Sequence, residues 1–322
     1  MKKYFLIALL FPLSLHAQEY VDLLRIGYGQ TFNNTYVDAA GNTFVKSFEA
    51  DITLPVVLND KHAFITGVAF SRNNLQLYPK TDSDIIYFGV DGNNFASLYS
   101  STLKIGLAST YNDLWSSTIV LLPKIASDYE QIKGDDFYFG GLALLKYQKT
   151  EHLKYRFGLY ATSEAFGLFT TPIVGWYYLS PNKKFEMDMS LPIAADISYS
   201  FDTVSVGLDY FGIGRSFRLY GDAETSQAYV DLSSLEFASY VQFITLQKQV
   251  LLRAKFGYSS NNFEVYPDGE TIDLGLSAFS FGDDRTQLNP DLNGGFFLKF
   301  EAIYRFSIVS EENNNKQAPN DN

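Results

Sequence analysis

The stretch GGFFLKFEAIYRFSI, Gly294 to Ile308, sets Phe296, Leu298, Phe300, Ala302, Tyr304, Phe306 and Ile308 at every second position, with Lys299, Glu301, Arg305 and Ser307 among the residues between. A strand sends alternate side chains to opposite faces, so this segment has one apolar wall and one charged wall. Two environments fit. A soluble sandwich or small barrel buries the apolar wall and wets the charges; a membrane barrel turns the apolar wall to lipid and the charges to its lumen.

The same alternation recurs along the chain. Phe48, Ala50, Ile52 and Leu54 oppose Ser47, Glu49, Asp51 and Thr53. Leu153, Tyr155, Phe157, Leu159 and Ala161 oppose Lys154, Arg156, Gly158, Tyr160 and Thr162. Phe185, Met187, Met189 and Leu191 oppose Lys184, Glu186, Asp188 and Ser190, and Val250 to Tyr258 repeats the pattern against Leu251, Arg253, Lys255, Gly257 and Ser259. No segment of comparable length has a clean helical period, so the chain reads as all-β. From Phe185 to Phe201 every odd position is apolar, which suits one long strand, but Pro192 within it argues for a turn or an edge. After Phe201 the apolar phase moves to Val204, Val206, Leu208 and Tyr210, as a two-residue turn at Asp202-Thr203 would make it.

Connections fall into two kinds. Short polar turns are expected near Asn59, Asn112, Glu151, Pro181 and Gln247; long acidic loops are expected over 73–94, 124–136, 214–231 and 261–294. Short turns at one end and long loops at the other describe a transmembrane antiparallel up-and-down β-barrel, with short periplasmic turns, long acidic outer loops and about 14 strands, within a range of roughly 12 to 16. A soluble barrel of that size would enclose a lumen too wide for its apolar side chains to fill.

Composition agrees. Aromatic residues make up 16% of the chain, with 23 Tyr and 28 Phe, at a mean hydropathy of −0.07; a barrel needs aromatic girdles at both interfaces. Residues 1–17, with Lys2-Lys3, an apolar run to Leu13 and Ala17 before Gln18, read as a signal peptide. Residues 18–308 form the barrel, and the Asn-rich stretch 309–322 is a polar, disordered tail. Without Lys2 and Lys3 the charge is 23 − 36 = −13, which excludes nucleic acid as a partner. With no cysteine, disulfides and thiol chemistry are excluded.

The informative polar residues are those on the charged wall. Arg25, Glu49, Asp51, Lys154, Arg156, Glu186, Asp188, Asp209, Arg253, Lys255, Lys299, Glu301 and Arg305, with Lys104 and Lys184, are the lumen-lining candidates, either setting selectivity or pairing across strands to fill the interior. No catalytic site is assigned. His62 and His152 fall in predicted short turns, and no serine is marked beside them. The acidic stretch 261–294 offers hard oxygen ligands, and Asp283 and Asp284 are its calcium candidates, although no spacing matches an EF-hand loop. GYG at Gly27 and GIG at Gly212 lack a following helix and are assigned to relief of crowding on the lumen side.

The signal ending LHAQ, the hairpin LPVVLNDKHAFITGVAFS from Leu54 to Ser71 and the closing strand FFLKFEAIYRFSI resemble uncharacterised outer-membrane β-barrel proteins of the Bacteroidota, grouped as a domain of unknown function. The resemblance spans the mature chain and implies location and fold without activity. The chain differs from barrels that end on a terminal aromatic residue, because its tail continues past Phe306.

The expected function is a passive or weakly selective channel for small solutes, without cofactor. The alternatives are a non-conducting barrel acting through its acidic outer loops and an outer-membrane hydrolase. The expected partners are outer-membrane lipid, the barrel-assembly machinery and an unknown small solute.

Overall fold

Alternation becomes curvature once each strand finds its neighbours. In the computed structural model, which describes residues 20–79, 95–220, 227–246 and 249–307, fourteen strands run antiparallel in chain order. They are β1 (Tyr20–Phe32), β2 (Lys46–Asn59), β3 (His62–Leu75), β4 (Ala96–Thr110), β5 (Trp115–Ser127), β6 (Phe137–Thr150) and β7 (Leu153–Glu164). Then follow β8 (Gly167–Leu179), β9 (Phe185–Leu191), β10 (Ala194–Phe201), β11 (Val204–Leu219), β12 (Ala228–Thr245), β13 (Val250–Pro267) and β14 (Gly295–Ser307). β14 pairs with both β13 and β1, for example Phe300 with Ala254 and with Tyr28, and closes the barrel. The expected signal peptide and polar tail lie outside the described residues.

The predicted turns all lie at one end, between β2 and β3, β4 and β5, β6 and β7, β8 and β9, β10 and β11, and β12 and β13. The turn at Asp202-Thr203 pairs Phe201 with Val204 and switches which parity faces outward. Pro192 sits in a three-residue connection, Leu191 to Ile193, that pairs Ser190 with Ala194. An odd-length loop keeps parity, so the apolar alternation runs through the reversal and imitates one long strand. At the loop end, the 165–166 and 191–193 connections are short, unlike the four long loops predicted there.

The outward wall is apolar over its whole circumference: Ile52, Leu103, Leu121, Leu159, Leu208, Phe256 and Phe300 are all exposed. Aromatic pairs mark both margins, Trp115 with Tyr147 (4.9 Å) and Tyr199 with Phe201 (4.9 Å) toward the turns, and Tyr258 with Phe296 (5.6 Å) toward the loops. So large a continuous apolar surface is stable against lipid and not against water.

Strand lengths are uneven. β9 and β10 have 7 and 8 residues, whereas β12 and β13 have 18 each. Above the short pair, β8 finds another partner in the last loop, where the hairpin of Leu274–Leu276 and Phe279–Phe281 runs parallel to it and pairs Phe169 with Gly275. Beyond the short pair, β11 leaves the wall. Its Gly214 lies against the inward ring of Phe169 on β8, where an added Cβ would stand 3.2 Å from the ring, so β11 passes inside β8.

Replacing Phe300, on the outward face of β14, by arginine is expected to cost about 2–4 kcal/mol in a bilayer. Reversible unfolding in lipid vesicles measures it, and a cost near zero would contradict the lipid-facing assignment.

Candidate functional site

The thirteen lumen candidates all take the inward parity of their strands, and the structure joins most of them into ion pairs. Lys299 reaches Glu49 at 2.8 Å and Glu236 at 3.9 Å. Lys255 pairs with Asp209 and with Glu301 (3.2 Å), and Arg253 with Asp196 (3.0 Å) while lying 3.9 Å over the Tyr240 ring. Arg156 meets Asp188 (2.7 Å), Lys104 meets Asp51, and Asp22 is shared by Arg25 (3.2 Å) and Arg305 (2.6 Å). Glu186 accepts a hydrogen bond from Tyr20 on the far side of the barrel. Lys154 is buried with no carboxylate partner among the described residues, and neighbouring Lys146 bonds only the Thr118 hydroxyl (3.1 Å). Lys184 is the exception to the inward assignment. It belongs to the exposed turn before β9, because that strand begins one residue later.

The glycines separate by place. Gly27 and Gly29 face inward, and a Cβ at Gly29 would stand 3.2 Å from Lys299 Cγ, so they do make room for that side chain. Gly212 and Gly214 have the outward parity of β11, and the expected lumen-side role does not apply to them.

At the loop end the lumen is covered. The outer ends of β11, β12 and β13 fold across the mouth as a lid. Phe217, Leu219, Ala228, Val230, Leu232, Phe263 and Val265 on its underside form one buried cluster with Leu75, Leu98, Ala126 and Tyr138 of the opposite wall. Two clasps hold its edge. In the first, Glu164 Oε2 accepts hydrogen bonds from Ser216 N and Oγ, both 2.8 Å, while Lys124 pairs with Glu164 Oε1. In the second, Asp128 N donates to Arg218 O (2.9 Å), Tyr220 N to Asp128 Oδ2 (2.7 Å) and Tyr220 Oη to Asp136 Oδ1 (2.6 Å). The last loop covers the lid from above. Arg285 pairs with Asp231 (3.0 Å) and stacks 3.9 Å over the Tyr266 ring, beside Phe166 and Ile272.

The lid was not foreseen, yet the sequence carries a sign of it. On β13 the outward even positions are apolar from Val250 to Tyr258, but Asn262 and Glu264 are polar while odd Phe263 and Val265 are apolar. A phase inversion within an unbroken strand means that its surroundings have exchanged sides.

Directly below the lid, a cavity of about 40 Å³ lies between Glu49, Arg215, Glu236 and Lys299, room for a few waters. Arg215 crosses this level to hydrogen-bond Ser71 Oγ at 2.9 Å.

Of the remaining candidates, His62 Nδ1 lies 2.9 Å from Ser109 Oγ, a serine that register alone reveals, at the turn end. No carboxylate contacts the ring among the described residues. Asp283 is held by Arg285 through two bonds of 2.9 and 2.8 Å that keep its carboxyl below the usual range, and no group of three acidic or histidine residues is placed to hold a metal among the described residues.

A family model matches residues 89–262, more than half of the 322 residues. The chain belongs to the family described as a domain of unknown function (DUF6268). The DUF6268 match covers the middle of the barrel, apart from the Leu54 to Ser71 hairpin and the closing strand. A search of the curated proteins finds no match. Among solved structures, the chain is similar to the P. putida toluene transporter TodX (TM-score 0.37, 11% identity, covering 92% of each chain). It is also similar to a bacterial polysaccharide outer membrane secretin (TM-score 0.34, 9% identity, 88% of this chain and 97% of that one) and to the Escherichia coli outer membrane protease OmpT (0.27, 8%, 88% and 94%). At such scores nothing finer than barrel form is shared.

Lys299→Met would leave the half-buried Glu49 and Glu236 without their cation, an expected loss of about 1–2 kcal/mol, below the roughly 3–5 kcal/mol of a fully buried pair because water still reaches both carboxylates; adding Glu49→Gln should recover part of it, as measured by urea unfolding in vesicles. Burial raises Asp128 from 3.8 to about 6. Its neutral form is therefore favoured in the folded clasp, and that contribution is complete below 3.8 and lost as pH rises through about 6. Proteolysis of the lid should increase over this range, and Asp128→Asn should flatten the increase.

Proposed function

We propose that this protein is an outer-membrane barrel whose lumen is closed in the described conformation and whose work is done by binding at the loop end. The observation that carries this reading is the closed loop end: an apolar lid seals the mouth over cross-strand ion pairs, and the cavity directly beneath it, between Glu49, Arg215, Glu236 and Lys299, holds about 40 Å³. The location rests on the continuous apolar outer wall and the division between turns and loops, a form suited to insertion by the barrel-assembly machinery into outer-membrane lipid with the loops outside. Neither the His62 and Ser109 pair, which lacks an acid, nor Asp283 and Asp284 is given a catalytic or metal role.

A second reading, passage of small solutes, draws on a different observation. Charged side chains line the interior from Asp22 near the turns to Glu164 below the lid, and buried charge is a poor means of stabilising a protein when apolar packing would serve. On this reading the lid is the gate, and unpaired Lys146 and Lys154 tilt passage toward small anions.

Planar-bilayer recording separates the two. The wild-type protein is expected to stay silent, and Phe217→Asp, which places a charge within the lid cluster, to remain silent after folding is confirmed by heat-modifiable gel mobility. Stable steps in the variant, shifted toward cations by replacing Lys146 and Lys154, would transfer the function to gated passage.

A further inference from the structure

The loop end holds a second cavity, separate from the lumen. It is a cleft of about 590 Å³, open on one side, between the first loop, the outer end of β1 and the strand ends that flank the second loop, a size typical of small-ligand pockets. Four rings line it: Phe32, Tyr36, Phe44 and Phe95. Four carboxamides stand among them: Gln30, Asn33, Asn42 and Gln76. Among the described residues no charged side chain belongs to the lining, and a charge stands beside it in Lys46, whose ammonium lies 4.9 Å over the Phe44 ring.

The walls are anchored. Tyr36 Oη donates to Gln76 O (2.9 Å), and the short hairpin of Asn34–Thr35 and Asn42–Thr43 is tied down by Asn34 Nδ2 donating to Asn293 O (3.0 Å). Phe44 and Phe95 lie with ring centroids 5.2 Å apart. Gln76 is buried, 5% exposed, and its Nε2 has no hydrogen-bond partner among the described residues.

From this lining we infer a binding site for a neutral saccharide. Aromatic faces accept the C–H faces of a pyranose ring, and a carboxamide offers donors and an acceptor together, matching adjacent hydroxyls. A wholly apolar ligand would leave the carboxamides unpaired at a cost, and a cation would find no carboxylate among the described lining residues and would meet the Lys46 ammonium beside Phe44. The unpartnered Gln76 donor is a group that an incoming hydroxyl can satisfy. Two sources supply this chemistry at the loop end, a free oligosaccharide and the core sugars of a surface glycolipid. The inference rests on the loop-end binding reading and gives it a ligand class.

The test uses the full chain in nanodiscs and saturation-transfer NMR with three probes: maltotriose, chitotriose and rough lipopolysaccharide, with lipid A lacking core sugars as the control. Binding of at least one saccharide probe is expected, at least tenfold weaker in Phe44→Ala and in the exposed variant Asn42→Ala, and unchanged in Phe281→Ala. Binding of a free trisaccharide identifies a soluble ligand, and binding of rough lipopolysaccharide but not lipid A a glycolipid core. No binding at millimolar concentration, or binding that both pocket variants retain, overturns the inference. Bilayer silence judges the closed-barrel reading separately, so a silent protein that binds no sugar loses only the ligand class.

Discussion

The width of a fourteen-stranded barrel is the constraint on which the rest depends. Closing that many strands leaves an interior that short side chains cannot fill and that only long ones, such as Tyr20 and Glu186, reach across. This chain fills the space in two ways, and each uses what its part of the wall provides. At mid-height, long cations extend from β13 and β14 to carboxylates two strands away, as Lys299 does to Glu49 and Glu236. At the loop end, where charges give way to Phe217, Val230 and Phe263, whole strand ends turn inward and pack as an apolar layer. The inward glycines of β1 follow from the first solution, and the departure of β11 from the wall at Gly214 follows from the second.

Most of the wall could be read from the residues because its physics is periodic. Phe300 and Lys299 face opposite media at adjacent positions, and no other arrangement of that segment buries or exposes them correctly. The turn at Asp202-Thr203 was legible because an even connection flips parity, and the one at Pro192 was ambiguous because an odd one does not. The parity of the charged residues followed from the same rule, with Lys184 misplaced only because the pattern was extended one residue beyond the start of β9.

The partners of those residues were not legible. Tyr20 and Glu186 stand far apart in sequence and on opposite sides of the ring, and the barrel's cross-section decides that they meet. The lid depends on the same long-range closure: Glu164 and Ser216 each look like ordinary wall residues until β11 crosses the mouth. Arg285, the lone cation of the acidic stretch 261–294, carries no local sign of its partners; it ties the loop down onto Asp231 and Tyr266. Local pattern specifies which face a side chain occupies, while tertiary geometry specifies what it meets there.

The short β9 and β10 pair gives the barrel a low side. At about 3.4 Å per residue and a tilt near 40°, seven residues rise roughly 18 Å, less than the ~25 Å apolar band of an ordinary outer-membrane wall. The hairpin that pairs with β8 above these two strands exposes Phe279 and Phe281 and stands in the missing height, so on this side lipid meets a wall part strand and part loop, while beside the 18-residue strands β12 and β13 it meets strand alone. That patch is held to β8 by a two-residue pairing in place of a full ladder, and it is the part of the circumference where the wall can yield at least cost.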